Sequence, residues 1–198
     1  MKTRLAVIFG SRTVEHDVSI VTGIQLMENI DTQKYDILPV YITRDGEWFT
    51  GEKLRDIEFV RAFDKNSKEV TKVFLPPVPG TGGLMTYPAA GGLFSKGGSR
   101  VIPFDVAIPA MHGLNGEDGT LQGLLELADV PYTSCGVLGS STGMDKIVMK
   151  AAFKGAGIPV LDGEFFTRDE WAAQPEEVIS RLEKAIEYPM IVKPANLG

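Results

Sequence analysis

The run Leu5-Ala6-Val7-Ile8-Phe9, closed by Gly10, is the feature that most constrains the fold. An unbroken apolar run of this length, with no polar residue alternating, belongs to a strand buried on both faces, and such strands lie inside parallel sheets covered by helices. Gly10 ends the strand and opens a loop. Beyond it Val18, Val21, Ile24 and residues 27–30 recur at near-helical spacing, and residues 36–43 return to β-branched and apolar types. Residues 104–109 repeat the buried-strand pattern, after which Leu121, Leu124, Leu125 and Ala128 share one helical face. The expectation is an α/β, Rossmann-like domain whose parallel sheet carries functional loops at the carboxyl ends of its strands, after Phe9 and after Ala110.

Between these parts the pattern breaks. Arg44-Asp45-Gly46 separates two short β-like stretches, and Asp-Gly tolerates the positive φ of a tight hairpin turn, so a small antiparallel appendage is expected there. Residues 76–100 hold seven Gly and four Pro, too many for a helix. They predict a looping insertion with a β-ribbon near residues 84–87. Past residue 135 a second α+β unit is expected to begin, with a helix over 144–154, strands near Ile158, at Phe165-Phe166 and over 190–192, and a helix after Pro175. The boundaries are thus 1–135 for the first domain, with an insertion over about 48–100, and 136–198 for the incomplete start of the second.

Composition bounds the function. The 198 residues are 43% hydrophobic and 23% charged, which suits a folded domain rather than a disordered chain. Twenty Lys+Arg against 26 Asp+Glu give a net charge of −6, which offers nucleic acid and anionic membranes no general attraction. The apolar run after Met1 is too short for a signal sequence, and no stretch is long enough to span a bilayer. With one cysteine, Cys135, and no zinc-ligand spacing, a cytoplasmic protein is expected.

Three groups of residues could carry chemistry. The loop after the first strand brings Glu15 and Asp17 to a helix N-terminus, where the acids either complement the helix dipole or pair with a ligand's ammonium group. His112-Gly113-Leu114-Asn115-Gly116-Glu117-Asp118-Gly119 follows the later buried strand. Its glycines permit close backbone approach, so it can hold a small polar ligand, or Asp118 can cap the next helix with His112 as an ordinary loop residue. Lys146 follows Met144-Asp145 within the helix expected over 144–154, and Lys193 ends the apolar run 189–192 before Pro194; an ammonium so placed either reaches a phosphate or is solvated.

Taken in order, Glu15-His16-Asp17-Val18-Ser19, residues 112–123 (HGLNGEDGTLQG), Met144-Asp145-Lys146 and Ile191-Val192-Lys193-Pro194 resemble the D-alanine:D-alanine ligases of the ATP-grasp superfamily. The resemblance covers residues 1–198 and is loosest over 48–100. It implies that Glu15 binds the ammonium of the first D-alanine, with Val18 and Ser19 lining its pocket. By the same resemblance, His112 contacts that substrate's carboxylate, Glu117 belongs to the supporting polar network, and Lys146 and Lys193 hold ATP phosphates. The implied reaction phosphorylates one D-alanine with ATP and joins it to a second for peptidoglycan precursor synthesis, in a homodimer formed through the N-terminal domain. Magnesium is an implied cofactor, with its ligands expected beyond residue 198, so the chain by itself is expected to be inactive. The family usually has Gly-Gly after the first strand, where this chain has Gly10-Ser11, and Thr13 stands where a Ser is usual. Two alternatives stay open: a ligase joining D-alanine to D-serine or D-lactate, as in vancomycin-resistance homologues, and a non-catalytic amino-acid-binding or dimerisation module.

Overall fold

A computed structural model describes residues 2–87 and 98–197. In chain order the elements of the first part are β1 (Thr3–Gly10), α1 (His16–Asn29), β2 (Tyr35–Ile42), β3 (Trp48–Thr50), α2 (Ile57–Arg61), β4 (Thr71–Phe74), β5 (Gly83–Thr86), β6 (Val101–Pro103), β7 (Val106–Pro109) and α3 (Thr120–Leu127). The strands form one seven-stranded sheet in the order β6-β5-β4-β3-β2-β1-β7. β1 lies parallel between β2 and β7, as the apolar runs predict, with Val7 opposite Pro39 on one side and Ile108 on the other.

The expected parallel centre and the antiparallel appendage after β2 both form, and the appendage is part of the same sheet. β3, β4, β5 and β6 are antiparallel and continue the main sheet outward from β2, so the sheet is mixed. The hairpin turn occurs as expected, with Gly46 at φ 84° and the Thr43 amide donating to the Glu47 carbonyl at 2.9 Å. Beyond this turn the chain pairs rather than loops, because β2 would otherwise present an open edge of unpaired backbone groups. Thr50 reinforces the junction by donating its hydroxyl to the Pro39 carbonyl at 2.7 Å. The expected ribbon near 84–87 is β5, while residues 88–97 of the Gly/Pro-rich segment lie outside the described residues.

Two apolar clusters sandwich the sheet. Ala6 and Ile8 of β1 face Leu38, Val40, Leu84, Leu121 and Leu125, whereas Val7 and Phe9 face Ile20, Ile24, Met27, Tyr41 and Phe49. Each fully buried aliphatic or aromatic side chain contributes about 1.5–3 kcal/mol, so β1 is held from both sides. Gly23 of α1 sits directly on the Phe9 ring, which lets the helix approach the strand closely.

The second part contains α4 (Val137–Met144), α5 (Lys146–Gly155), α6 (Arg168–Ala173) and α7 (Pro175–Ala185). The helix expected over 144–154 forms as α5, and an additional helix, α4, precedes it across Asp145. The Asp145 carboxylate accepts from the amides of Ile147 at 2.9 Å and Val148 at 3.0 Å and so starts α5. The strands expected at Ile158, Phe165-Phe166 and 190–192 do not form. Their apolar side chains are present but exposed, Ile191 at 81% and Val192 at 75%. A strand needs a partner for its backbone groups, and no described segment pairs with these residues.

Candidate active site

The loops after β1 and β7 meet at one edge of the sheet, where parallel topology brings neighbouring carboxyl ends together. Ser19 is the stitch between them. Fully buried at the start of α1, its hydroxyl accepts from the Gly10 amide and donates to the Ala110 carbonyl, both at 2.8 Å. Asn115 adds a second tie, its side-chain amide donating to the Arg12 carbonyl at 3.2 Å. Val18, expected beside Ser19 in the pocket wall, is on the exposed side of the helix.

Glu15 lies where the two loops press together. Its Oε2 is buried and has no hydrogen-bond partner among the described residues. Gly113, at φ 71°, packs against this carboxylate and against the Thr13 hydroxyl, and a Cβ there would collide with both. The glycine is therefore required twice, for backbone conformation and for space. An unsatisfied buried acceptor costs about 1–3 kcal/mol, which a donor delivered by a ligand would offset.

The second loop is built from its own polar side chains. Glu117 accepts from the Gly113 amide at 2.6 Å, and Asp118 accepts from the amides of Asn115 and Thr120, both at 2.9 Å. Burial pushes the Asp118 carboxyl up, but those amides together with the Thr120 hydroxyl outweigh it and leave the group below its ordinary value. Asp118 is thus not the cap residue, which is Gly119, although it binds the helix's first amide. His112 is half-buried, with Nε2 2.9 Å from the Thr22 hydroxyl of α1. Thr22 carried no signal in the sequence, because its role depends on α1 crossing the end of β7.

Lys146 and Lys193, distant in sequence, belong to segments that meet. The Lys146 amide donates to the Ala195 carbonyl at 3.1 Å and its ammonium to the Leu197 carbonyl, while Lys193 is exposed just before this turn. A cavity of about 380 Å³ connects this region to the second loop, lined by Leu114, Asp118, Ser141, Thr142, Met144, Asp145, Val148 and Asn196. One end of the arrangement is acidic and the other carries the two lysines. Among the described residues no group of three or more His, Cys, Asp or Glu side chains is placed to hold a metal ion. None of the helices described is long and apolar enough to cross a membrane.

Beneath the first loop lies a residue whose role the sequence did not reveal. His16 is 2% exposed, with Nδ1 2.6 Å from the Ser11 carbonyl and Nε2 3.0 Å from the Tyr41 hydroxyl. Burial lowers its pKa despite the opposing bond to Ser11, and burial raises that of Tyr41.

Comparison with known proteins agrees with this geometry. Residues 4–135 match the family described as D-ala D-ala ligase N-terminus, and residues 152–198 match D-ala D-ala ligase C-terminus. The D-alanine–D-alanine ligase of Thermosipho melanesiensis is 40% identical over 98% of this chain and 50% of its own length, and that of Geobacillus kaustophilus 40% identical over 100% and 52%. Among solved structures, the VanG D-Ala:D-Ser ligase of Enterococcus faecalis is 33% identical with a TM-score of 0.78, covering 100% of this chain and 53% of that one. The D-alanine-D-alanine ligase of Coxiella burnetii is 26% identical with a TM-score of 0.76, covering 100% and 52%. The chain spans about half the length of the curated relatives it matches. With two successive family matches in the order of its two parts, the larger reaching from β1 through β7, this chain belongs to the D-alanine–D-alanine ligase family.

Proposed function

We propose that the protein carrying this chain joins two D-alanine molecules into D-alanyl-D-alanine at the expense of ATP, and that residues 1–135 form the part binding the first D-alanine while residues 136–198 begin the part gripping ATP. The observation that carries this reading is the buried, unpartnered Glu15 carboxylate oxygen at the meeting of the two loops. An ammonium group is the complementary ligand, and a zwitterionic amino acid presents its carboxylate on the other side, toward the loop that bears His112. Glu117 fixes that loop by holding the Gly113 amide, and Ser19 fixes the loops relative to each other. Val18 borders the same entrance.

In the proposed reaction a carboxylate oxygen of the first D-alanine attacks the γ-phosphorus of ATP and ADP leaves. The amine of the second D-alanine then attacks the acyl carbon, loses a proton and displaces phosphate. Lys146 and Lys193 serve the phosphates, where cations stabilise charge that develops during transfer. Magnesium would share that work, and the resemblance places its ligands beyond residue 198. By the same resemblance we place the protein in the cytoplasm as a homodimer joined through its N-terminal part and supplying the peptidoglycan precursor.

A second reading, ligation of D-alanine to D-serine, is favoured by the 33% identity to the Enterococcus faecalis D-Ala:D-Ser ligase over the whole chain. Both readings share the first substrate. Glu15→Gln keeps the side chain's shape and removes its charge; a hydrogen bond to a charged group contributes about 1.5–3 kcal/mol, so kcat/KM for the first D-alanine should fall at least about tenfold. Unchanged kinetics in the full-length protein would reject the assignment. Supplying D-serine alongside D-alanine and identifying the dipeptide by mass decides between the two readings.

A further inference from the structure

We propose that His16 and Tyr41 are positioning residues: a buried hydrogen-bond relay that latches the base of the first loop and so aims Glu15 at the bound amino acid. The inference rests on Glu15 as the ammonium partner. Ser11 supplies the reason a latch is needed. Its φ is 93°, a backbone conformation natural to glycine and strained for serine, and it follows Gly10, itself at 92°. Two hydrogen bonds hold Ser11 there: its amide donates to the Ile42 carbonyl at 2.8 Å, and its carbonyl accepts from His16 Nδ1 at 2.6 Å.

The direction of each bond follows from chemistry. A carbonyl only accepts, so Nδ1 must carry the imidazole proton. In the neutral ring Nε2 is then an acceptor, and the Tyr41 hydroxyl donates to it across 3.0 Å. His16 is the first residue of α1, and its bond back to Ser11 closes a loop whose outer residues, Thr13 and Glu15, lie against Gly113. Loss of the latch frees the turn that carries Glu15 without touching the carboxylate.

Tyr41 is in turn fixed by the segment inserted after β2. The Phe63 ring meets it edge-on at 5.0 Å between centroids, and Phe49 of β3 meets Phe63 at the same distance. Residues that continue the sheet therefore buttress the substrate loop, which gives the 48–100 segment a function in the first part of the protein.

The test uses the full-length enzyme and steady-state kinetics with D-alanine and ATP varied separately. Tyr41→Phe deletes one hydroxyl and keeps the ring, and loss of one ordinary hydrogen bond should raise the KM for the first D-alanine about twofold to tenfold. The KM for ATP and kcat should stay within about twofold. His16→Leu should act in the same direction, with His16→Asn partly restoring the wild-type value because its amide can still reach Ser11. Adding Ser11→Gly to Tyr41→Phe should also restore it, because glycine needs no latch at this φ. In a Glu15→Gln background Tyr41→Phe should have no further effect. If Glu15→Gln raises the D-alanine KM but Tyr41→Phe does not, the relay is refuted while the ligase reading stands. If Glu15→Gln has no effect, the ligase reading fails and takes the relay with it. An equal Tyr41→Phe effect in the Glu15→Gln background, or no rescue by Ser11→Gly, also overturns the relay. Should His16→Leu fail to fold, Tyr41→Phe decides alone.

Discussion

Replacing Ser19 with alanine separates two roles for this residue. A side chain that lines the substrate pocket alters substrate binding when truncated and leaves folding nearly unchanged. A stitch between two strand ends does the reverse. The Ser19 hydroxyl makes two hydrogen bonds of 2.8 Å in a fully buried position, and alanine would leave the Gly10 amide and the Ala110 carbonyl facing a methyl group. Each orphaned group costs about 1–3 kcal/mol, reduced where the site relaxes, so a total loss of about 2–4 kcal/mol is expected. For a protein of this size that lowers the melting temperature by about 4–16 °C. Urea unfolding should show an earlier midpoint with an unchanged slope. Because both loops depend on the same stitch, the D-alanine KM should rise in proportion to the loss of order. A stability change below about 0.5 kcal/mol, the range of ordinary surface substitutions, combined with a large change in KM would refute the stitch and make Ser19 a contact residue.

Two further outcomes are expected. Folding holds the His16 pKa below its ordinary value of 6.5 mainly through burial, so below about that pH the unfolded state binds the extra proton and stability falls as the pH drops toward the folded-state pKa. The loss attributable to this residue approaches 1.4 kcal/mol per pH unit at most, and thermal melts of wild type and His16→Asn between pH 5 and 8 should show a shallower acid decline in the variant; parallel curves would mean that His16 does not contribute. Lys193→Met should weaken ATP binding about tenfold or more if its ammonium meets a phosphate, and calorimetric titration giving equal affinity would place the phosphate site elsewhere.

The sequence made the first part of the protein legible where one physical signal dominated. Leu5 to Phe9 announced a strand covered on both faces because nothing but apolar residues can occupy such a position; β7 carried a similar apolar run, although it is an edge strand with only Ala107 fully buried. That the loops after these strands converge followed from parallel topology, and Ser19, Asn115 and Gly113 now show how. The four antiparallel strands were less legible, since β3 has three residues and β4 four, too short to show a period. Ser19 was visible as part of a motif, but its two partners are strand ends 9 and 91 residues away. His16 was hidden for a similar reason, since one of its partners, Tyr41, lies on another strand. In the second part the apolar runs near Ile158 and Ile191 carried the usual strand signal, but a strand is a property of a pair, and the described residues provide no second member.

The alternation along β1 has a consequence for how this protein can vary. Odd and even residues of the strand serve different apolar clusters, and its last residue, Gly10, delivers the chain to the first loop. Adding or deleting one residue here would exchange the two sets of side chains, move Phe9 off Gly23 and displace Gly10 from its place beside Ile42. Both sides of the sheet and the Glu15 loop would register the change together. The eight residues of β1 therefore behave as a fixed ruler from which the spacing of the whole site is measured.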